Sequence, residues 1–247
     1  MKALIIGFGS AGKRHYKILK KIKKIKQIFI FSKRKNKKKK FINTVNEIKK
    51  FNPDYVIIAN ETHQHLKFLK YCEKNFKKKI ILVEKPLFHK YIKFKIKNNK
   101  VFVAYNLREN LILKFIKSNI NLNDAFYVSS EVLSYLPDWR KSDDYTKNYS
   151  ASRKKGGGVL LDLSHEIDYL IWLFKKLSFK TSLIKKISPL KINSEDFAFV
   201  SGIVSNKTLF TLKMSYFHKK SKRNLYIASK NYHLKVDFLK NEITKFQ

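Results

Sequence analysis

The first half of the chain alternates between short apolar runs and segments in which apolar residues recur at helical spacing. This order is typical of a parallel sheet connected by crossover helices. The predicted strands are residues 3–8, 27–31, 55–59, 80–83 and 101–104, and the predicted helices are residues 11–25, 65–76 and 110–116. The pattern therefore predicts an α/β domain with a doubly wound parallel sheet over residues 1–118.

The second half has a different pattern. A long predicted strand at residues 126–136 is followed by a polar, aromatic-rich loop, three glycines and one predicted helix at residues 159–174. Strand-like segments then follow at residues 179–187, 197–204, 209–216, 225–229 and 233–238. We expect residues 119–247 to form an α+β domain with an open, mostly antiparallel sheet.

A glycine motif, G-x-G-x-x-G, lies between the first predicted strand and the first predicted helix, as a Rossmann dinucleotide site requires. Gly7 permits a tight turn, Gly9 lets the backbone approach a pyrophosphate, and Gly12 lets the helix pack close to the strand. Exposed N–H groups at the helix start favour the phosphates. The predicted cofactor-binding loop is Gly7, Phe8, Gly9, Ser10, Ala11 and Gly12.

The end of the second predicted strand distinguishes NADP from NAD. An NAD site usually places an acid there to bind the ribose 2′-hydroxyl, but this chain has Ser32, Lys33 and Arg34. These side chains can bind a 2′-phosphate, which a carboxylate would repel. We therefore expect NADP as the cofactor, with NAD as the alternative.

The composition is strongly basic, with 55 Lys and Arg, 18 Asp and Glu and a net charge of +37. Only six of the cations are arginine, the residue that nucleic-acid readers favour; A/T-rich codon usage explains the lysine excess better than a specific nucleic-acid partner. The longest apolar stretch, residues 159–174, is interrupted by charged residues, so no membrane partner is expected. The single cysteine, Cys72, fits a reducing, cytoplasmic location. We predict no metal site.

Five segments in order along the chain carry a resemblance to a known family: GFGSAGKRH at residues 7–15, ANETHQH at 59–65, VEKP at 83–86, AYNLR at 104–108 and GGGVLLDLSHEIDYLIWL at 156–173. They resemble the Gfo/Idh/MocA (glucose-fructose oxidoreductase / inositol dehydrogenase) family. The resemblance implies a Rossmann domain followed by a sheet domain that binds the substrate. Family members are usually longer, so we expect a shortened C-terminus. The family also commonly spaces its Asp and His as D-x-x-x-H, whereas Asp162 and His165 are three apart.

The resemblance assigns roles to particular residues. Lys85 is expected near the nicotinamide and the substrate hydroxyl, His165 is the candidate general base because its ordinary pKa lies near neutrality, and Asp162 would orient the substrate or the imidazolium. On a continuous helix the spacing of Asp162 and His165 keeps them on one face. The further expected cofactor contacts are Asn60, Thr62, His65, Glu84 and Lys85. For His65 a capping or packing role is the alternative.

The loop before the three glycines is rich in residues that stack on sugars and clamp phosphates. With an arginine upstream, the predicted substrate contacts are Arg108, Trp139, Arg140, Tyr145 and Tyr149; packing within the protein is the alternative. The resemblance to the surface-glycan branch of the family implies a sugar or nucleotide-sugar substrate, and self-association through the C-terminal sheet is a further expectation. The alternative functions are a dinucleotide-binding protein without turnover and a basic polyanion-binding protein on a Rossmann scaffold.

Overall fold

The computed structural model describes residues 1–33, 40–140, 144–205 and 207–246, without the side chain of Arg140. The chain divides into two compact units, Met1–Ala104 and Tyr105–Gln247. The boundary between the units follows Ala104, which is earlier in the chain than the predicted boundary at residue 118. The reason is that Ile112, Leu113 and Ile116 of the intervening helix are buried in the core of the second unit.

The first unit contains a six-stranded sheet in which every neighbouring pair is parallel. Its elements are β1 (Lys2–Ile6), α1 (Ser10–Leu19), β2 (Gln27–Phe31), β3 (Phe41–Ile42), α2 (Val45–Phe51), β4 (Tyr55–Ile58), α3 (His65–Asn75), β5 (Ile80–Val83) and β6 (Lys100–Val103). The strand order is β3-β2-β1-β4-β5-β6. The predicted doubly wound parallel sheet is confirmed, and the central strands β1 and β4 are buried beyond their first residues, because helices cover parallel sheets on both faces.

Strand β3 and helix α2 are additions to the predicted elements. The N-cap residue Thr44 accepts a hydrogen bond from the Glu47 amide at 3.2 Å, while the Glu47 carboxylate accepts from the Asn43 amide. This pair has the T-x-x-E spacing of a capping box. The sequence signal for this helix was therefore present in the chain.

The second unit contains a seven-stranded, mostly antiparallel sheet, as predicted. Its elements are α4 (Leu111–Asn119), β7 (Ala125–Tyr135), α5 (Val159–Asp162), α6 (His165–Phe174), β8 (Leu177–Lys185), β9 (Phe197–Val204), β10 (Thr208–Ser215), β11 (Phe217–Ser229), β12 (His233–Asp237) and β13 (Glu242–Phe246). The strand order is β13-β12-β11-β7-β10-β9-β8, with β7 and β10 as the parallel pair. One face of the sheet packs on α4, α5 and α6. No helix in the described part of the chain is long and apolar enough to cross a membrane.

The segment predicted as one helix over residues 159–174 forms two helices instead. Helix α5 ends at Asp162, Leu163 leaves the helical region with φ −101° and ψ 23°, and α6 begins at His165. The expectation that Asp162 and His165 share one face of a continuous helix is therefore wrong. Each of the two side chains is positioned by its own helix end.

Candidate active site

The glycine loop of the first unit forms an open cradle at the carboxyl end of β1. Gly7 has φ +96°, and a Cβ atom there would lie 2.5 Å from the Asn60 amide nitrogen. A Cβ atom on Gly12 would overlap the Gly7 carbonyl oxygen. In contrast, a Cβ atom on Gly9 would have no heavy atom within 4 Å among the described residues. Fold geometry thus requires Gly7 and Gly12, whereas Gly9 keeps open the space that a ligand would occupy.

The start of α1 offers backbone donors to this open space. Gly9 is the N-cap residue and supplies no side-chain cap, so the first N–H groups of the helix, beginning at Ser10 and Ala11, are available to a phosphate. The Phe8 ring is 5% exposed and packs edge-to-face on Tyr16 and Phe41, so Phe8 can contribute only its backbone. The loop fits the diphosphate of a dinucleotide.

The residues after β2 are those expected to select the ribose of a dinucleotide. Ser32 is half-buried and Lys33 is exposed, and neither carries negative charge. Arg34, the third residue expected there, lies outside the described residues. The described part of this strand end therefore lacks the carboxylate that usually selects NAD.

A buried carboxylate ties α1 to the end of β5. Glu84 is 9% exposed, and its Oε1 lies 2.7 Å from Nε2 of His15 and 3.5 Å from the Arg14 guanidinium. Burial alone raises the pKa of Glu84, but the hydrogen bond and charge of His15, with the charges of Arg14 and Lys85, lower it overall. Glu84 is therefore ionised at neutral pH, and the turn that it begins is anchored to the helix of the glycine loop.

The turn after Glu84 carries Lys85, which is half-buried and joined to Pro86 by a cis peptide bond. His65 supports this turn from α3. It is 1% exposed, with Nδ1 3.1 Å from the Pro86 carbonyl and 3.2 Å from the Leu87 carbonyl, and Nε2 3.1 Å from the Asn60 carbonyl. Burial lowers the pKa of His65, and those three carbonyls oppose the shift. His65 thus contacts backbone rather than an open surface, as in the packing alternative.

Two further expected cofactor contacts lie close to the glycine loop. The half-buried Asn60 follows β4, and its side-chain amide donates to Gln64 at 3.3 Å. Its backbone approaches Gly7, as described above. Thr62 is 4% exposed and begins a short 3₁₀ turn. The carboxyl ends of β1, β4 and β5 meet at one sheet edge, so the structure brings together the glycine loop, Asn60 and the Glu84–Lys85 turn.

In the second unit, Asp162 is held by a tyrosine from the sheet. The Tyr216 hydroxyl donates to Asp162 Oδ2 at 2.6 Å, and the two residues are 0% and 3% exposed. Burial, together with the negative charge of Asp162, raises the pKa of Tyr216 well above its usual value. Tyr216 therefore stays a neutral donor. The Trp139 ring packs edge-to-face on Tyr216 at 5.1 Å, which brings a predicted substrate contact to Asp162 through an intermediate ring.

The three glycines before α5 make room for a carboxylate that caps this helix. Gly158 has φ +121°, and a Cβ atom there would overlap the Glu195 carboxylate. Glu195 accepts a hydrogen bond from the Leu160 amide, and burial, with the charge of Asp162, raises its pKa. Two contacts therefore position Asp162. Glu195 fixes the start of its helix, α5, and the Tyr216 hydroxyl bonds its carboxylate at the end of that helix.

His165 begins α6 and is half-buried against an aromatic ring. Tyr105 packs edge-to-face on the imidazole at 5.5 Å and donates to the Ser164 hydroxyl at 3.3 Å. Burial raises the pKa of Tyr105, so this phenol is neutral as well. The ring fixes the plane of the His165 imidazole from one side.

Two charged residues of α6 form ion pairs. Arg108 donates to both carboxylate oxygens of Asp168, through Nε at 2.8 Å and through a terminal nitrogen at 2.5 Å. Glu166, which is 0% exposed, accepts from Arg223 Nε at 2.7 Å. Arg108, which was expected to contact substrate, is thus engaged in a bidentate pair that holds the segment before α4 on α6.

The remaining predicted substrate contacts lie in the loop between β7 and α5. Tyr145 and Tyr149 are half-buried, and the Tyr145 hydroxyl accepts from the Lys191 amide at 3.2 Å. The Arg140 backbone ends a 3₁₀ turn, and its side chain is outside the described part. The sequence interpretation missed Tyr216, Glu195 and Tyr105. Tyr216 and Glu195 meet Asp162 only through the fold of the sheet, and no local spacing marks them.

Both units match one family of enzymes. Residues 1–96 match the oxidoreductase family GFO_IDH_MocA, NAD-binding Rossmann fold, and residues 130–227 match the C-terminal alpha/beta domain of the same family. No curated protein is significantly similar in sequence.

Solved structures share the fold at low sequence identity. The WlbA dehydrogenase from Bordetella pertussis, in complex with NADH and UDP-GlcNAcA, is 14% identical, with a TM-score of 0.79 over 100% of this chain and 82% of that one. Myo-inositol 2-dehydrogenase from Lactobacillus plantarum is 18% identical, with a TM-score of 0.80 over 96% and 76%. UDP-N-acetylglucosamine 3-dehydrogenase from Acidithiobacillus ferrooxidans is 15% identical, with a TM-score of 0.76 over 100% and 80%.

Proposed function

Because the chain belongs to the Gfo/Idh/MocA family of oxidoreductases, we propose that it transfers a hydride between a nicotinamide dinucleotide and a hydroxyl or ketone of a sugar or nucleotide sugar. The proposal is supported by solved structures of the same fold, among them enzymes that act on an inositol and on a UDP-sugar. The dehydrogenase of the same fold in complex with UDP-GlcNAcA further supports a nucleotide sugar as the substrate. We place the reaction in surface-glycan biosynthesis, in the cytoplasm, where the buried free thiol of Cys72 would stay reduced.

The observation that carries the proposal is the assembly at the carboxyl edge of the parallel sheet. The Gly9 opening, the uncapped start of α1 and the Glu84–Lys85 turn lie at the ends of neighbouring strands. Ligands of open α/β sheets bind outside the carboxyl ends of the strands. Lys85 is thus presented at the edge where a dinucleotide fits.

The protein residues would handle the proton of the reaction. The bound nicotinamide supplies the hydride acceptor or donor. We assign His165 as the base that takes the substrate hydroxyl proton on an imidazole nitrogen, with Asp162 orienting the substrate or the imidazolium. The Lys85 ammonium would lie near the nicotinamide and hydrogen-bond a substrate hydroxyl. Tyr216 and Tyr105 remain neutral, so that they hold Asp162 and the His165 ring without competing for the proton.

We further propose NADP as the preferred dinucleotide, because Ser32 and Lys33 replace the usual acid. Self-association through the outer face of the second sheet is also proposed, since the exposed Leu209 lies on this face. Light scattering of the purified protein would test whether it self-associates. A monomeric mass across the micromolar range would contradict it.

Turnover on a panel of free sugars, inositols and nucleotide sugars, each with NAD and NADP, tests the function. We expect reduction of the dinucleotide by at least one sugar, and a loss of about 10²–10⁴-fold in kcat for Lys85→Met with dinucleotide binding retained. Lys90→Met, at an exposed lysine five positions away, is the control. Dinucleotide binding without any turnover would favour the non-catalytic alternative. Binding of DNA without dinucleotide affinity would favour the polyanion alternative.

A further inference from the structure

His15 connects the helix of the glycine loop to the turn that carries Lys85. It lies in the second turn of α1, roughly 7–8 Å along the helix axis from Ser10 at 1.5 Å per residue. Its Nε2 lies 2.7 Å from Glu84 Oε1, and the two side chains are only 13% and 11% exposed. The ionised Glu84 carboxylate can only accept, so His15 Nε2 carries a proton and donates it to this bond. The same helix therefore presents backbone amides at its start and a donor to Glu84 further along.

The Glu84 carboxylate extends this contact to Lys85. While Oε1 faces His15, the other oxygen, Oε2, accepts from the Lys85 backbone amide at 3.3 Å. The Glu84 amide donates to the Ile58 carbonyl at 2.8 Å, which fixes the backbone of the carboxylate to β4. His65 contacts the carbonyls that follow Lys85. The Lys85 backbone is thus held by a carboxylate bonded to α1 and by an imidazole that belongs to α3.

His15 holds Glu84 more firmly than its neighbour Arg14 does. The Arg14 guanidinium reaches the same oxygen at 3.5 Å, and its side chain is 63% exposed. An exposed ion pair at this distance is screened by water and contributes little. A short hydrogen bond between two buried groups, one of them charged, keeps most of its strength. Loss of the His15 imidazole would therefore release Glu84 from α1 even though Arg14 remains.

The close packing of α1 on the glycine loop makes this connection stiff. Gly12 lies so near the Gly7 carbonyl that no Cβ atom fits between them. A phosphate at the start of α1 would accept from the first amides of the helix and oppose its local opening. Local opening of α1 would also separate His15 from Glu84. A ligand that stabilises the helix start therefore stabilises the contact between these two side chains.

We propose that His15 is a positioning residue for Lys85: it holds the lysine turn through Glu84, so that a phosphate group bound at the start of α1 also steadies Lys85. This role rests on the proposed function, because it requires dinucleotide phosphates at α1 and a Lys85 that takes part in the reaction. His15 acts through Glu84 and touches neither the substrate nor the dinucleotide. An empty dinucleotide site leaves Lys85 less firmly held, and the bound dinucleotide completes its position.

Hydrogen exchange of the Lys85 backbone amide, followed by NMR, tests this coupling without any turnover. The probe is ADP, which has the diphosphate and adenosine of a dinucleotide but no nicotinamide that could touch Lys85. The variants are His15→Leu, which has no donor, His15→Gln, whose amide replaces the Nε2 donor, and the control Lys17→Leu at an exposed position of α1. We expect ADP to slow this exchange by about threefold or more in the wild type, His15→Gln and Lys17→Leu, and by less than about 1.5-fold in His15→Leu.

Amides of the central strands check that each variant is folded. Ile5 of β1 and Ile57 of β4 are 0% and 1% exposed, and their exchange without ADP should match that of the wild type. Where His15→Leu disturbs them, His15→Asn takes its place, because its amide is one methylene too short to reach Glu84 Oε1.

Steady-state kinetics with a sugar that is turned over give a second measurement. His15→Leu should lower kcat by about tenfold while the Kd of the dinucleotide changes by less than about threefold, and His15→Gln should restore most of the kcat loss. In the Lys85→Met background, His15→Leu should cause no further loss of kcat, because the side chain that His15 positions is already gone.

The outcomes separate this role of His15 from the function on which it rests. An equal effect of ADP on the Lys85 amide in the wild type and His15→Leu, or no effect in a wild type that binds ADP, would overturn the role and leave the oxidoreductase function intact. Fully additive kcat losses of His15→Leu and Lys85→Met would do the same. A wild type that does not bind ADP in calorimetry would overturn the dinucleotide site and the coupling together. The expected exchange pattern without turnover of any sugar would support the coupling and contradict the oxidoreductase function.

Discussion

The Tyr216 hydroxyl reaches Asp162 Oδ2 at 2.6 Å across 54 residues of sequence, and neither side chain is open to solvent. This bond joins the bend between β10 and β11 to the end of α5. A tyrosine from the sheet thereby sets the rotamer of the candidate catalytic carboxylate. Asp162 is a candidate by resemblance, but its orientation depends on a residue that the resemblance did not include.

Tyr216→Phe should remove this orientation. The change leaves a buried carboxylate oxygen without its donor, so we expect a loss of about 1–3 kcal/mol in the free energy of unfolding and roughly a tenfold fall in kcat. Tyr169→Phe is the matched control, because Tyr169 is also fully buried and bonds a hydroxyl, that of Ser130, at 2.5 Å. Urea unfolding and steady-state kinetics should show a stability loss in both variants and a kcat loss only in Tyr216→Phe. Equal kcat values for the two variants would refute the positioning role.

The glycine loop allows binding and folding to be separated. At Gly9, φ is −75° and the space for a new methyl group is open. Gly9→Ala should therefore change the free energy of unfolding by no more than about 0.5 kcal/mol, while dinucleotide affinity falls by about tenfold or more. Gly7→Ala must accept φ +96° and a clash with the Asn60 backbone, which should cost about 1–3 kcal/mol or more. Thermal unfolding and dinucleotide titration measure the two effects. Unchanged dinucleotide affinity in Gly9→Ala would contradict the proposed role of the glycine loop in binding.

The parallel sheet, the glycine loop and the order of elements could be predicted because each has a local signal. The capping box of Thr44 and Glu47 is also a local signal, although helix α2 is not among the predicted elements. The break between α5 and α6 could not be predicted from the apolar run, since the Glu195 cap and the Tyr216 bond come from elsewhere in the fold. The ion pair of Arg108 could not be predicted either, because its partner Asp168 lies 60 residues away in the sequence.

The Glu84 pair should make stability depend on pH. The pKa of Glu84 is lowered from its ordinary value of 4.5, so its stabilising contribution is present above pH 4.5 and is lost as pH falls through the lower folded pKa. Glu84→Gln should therefore be less stable than the wild type by about 1–3 kcal/mol at pH 7, with the difference shrinking below about pH 4.5. Urea titrations at several pH values measure this. Glu109→Gln, at a carboxylate that is 75% exposed, controls for the charge. A stability difference between the wild type and Glu84→Gln that grows as pH falls would contradict the stabilising role of the ionised Glu84.

The strand end after β2 makes a prediction about the cofactor. The wild type should bind NADP roughly ten- to a hundredfold more tightly than NAD, because Ser32 and Lys33 can bond a 2′-phosphate. Ser32→Asp should reverse or abolish this preference, since the new carboxylate repels the phosphate and accepts from the ribose hydroxyl. Ser221→Asp, on the exposed part of β11, controls for one added negative charge. Tighter binding of NAD by the wild type would show that the NADP proposal is wrong.

Transfer of a labelled hydride tests the central claim most directly. The wild type is incubated with NADP, or with NAD, and a nucleotide sugar deuterated at its ring carbons, and the dinucleotide is analysed by mass spectrometry. The account predicts reduced nicotinamide that carries one deuterium, formed about 10²–10⁴-fold more slowly with Lys85→Met. Reduced nicotinamide without deuterium, or no reduction with any sugar in the panel, would contradict it.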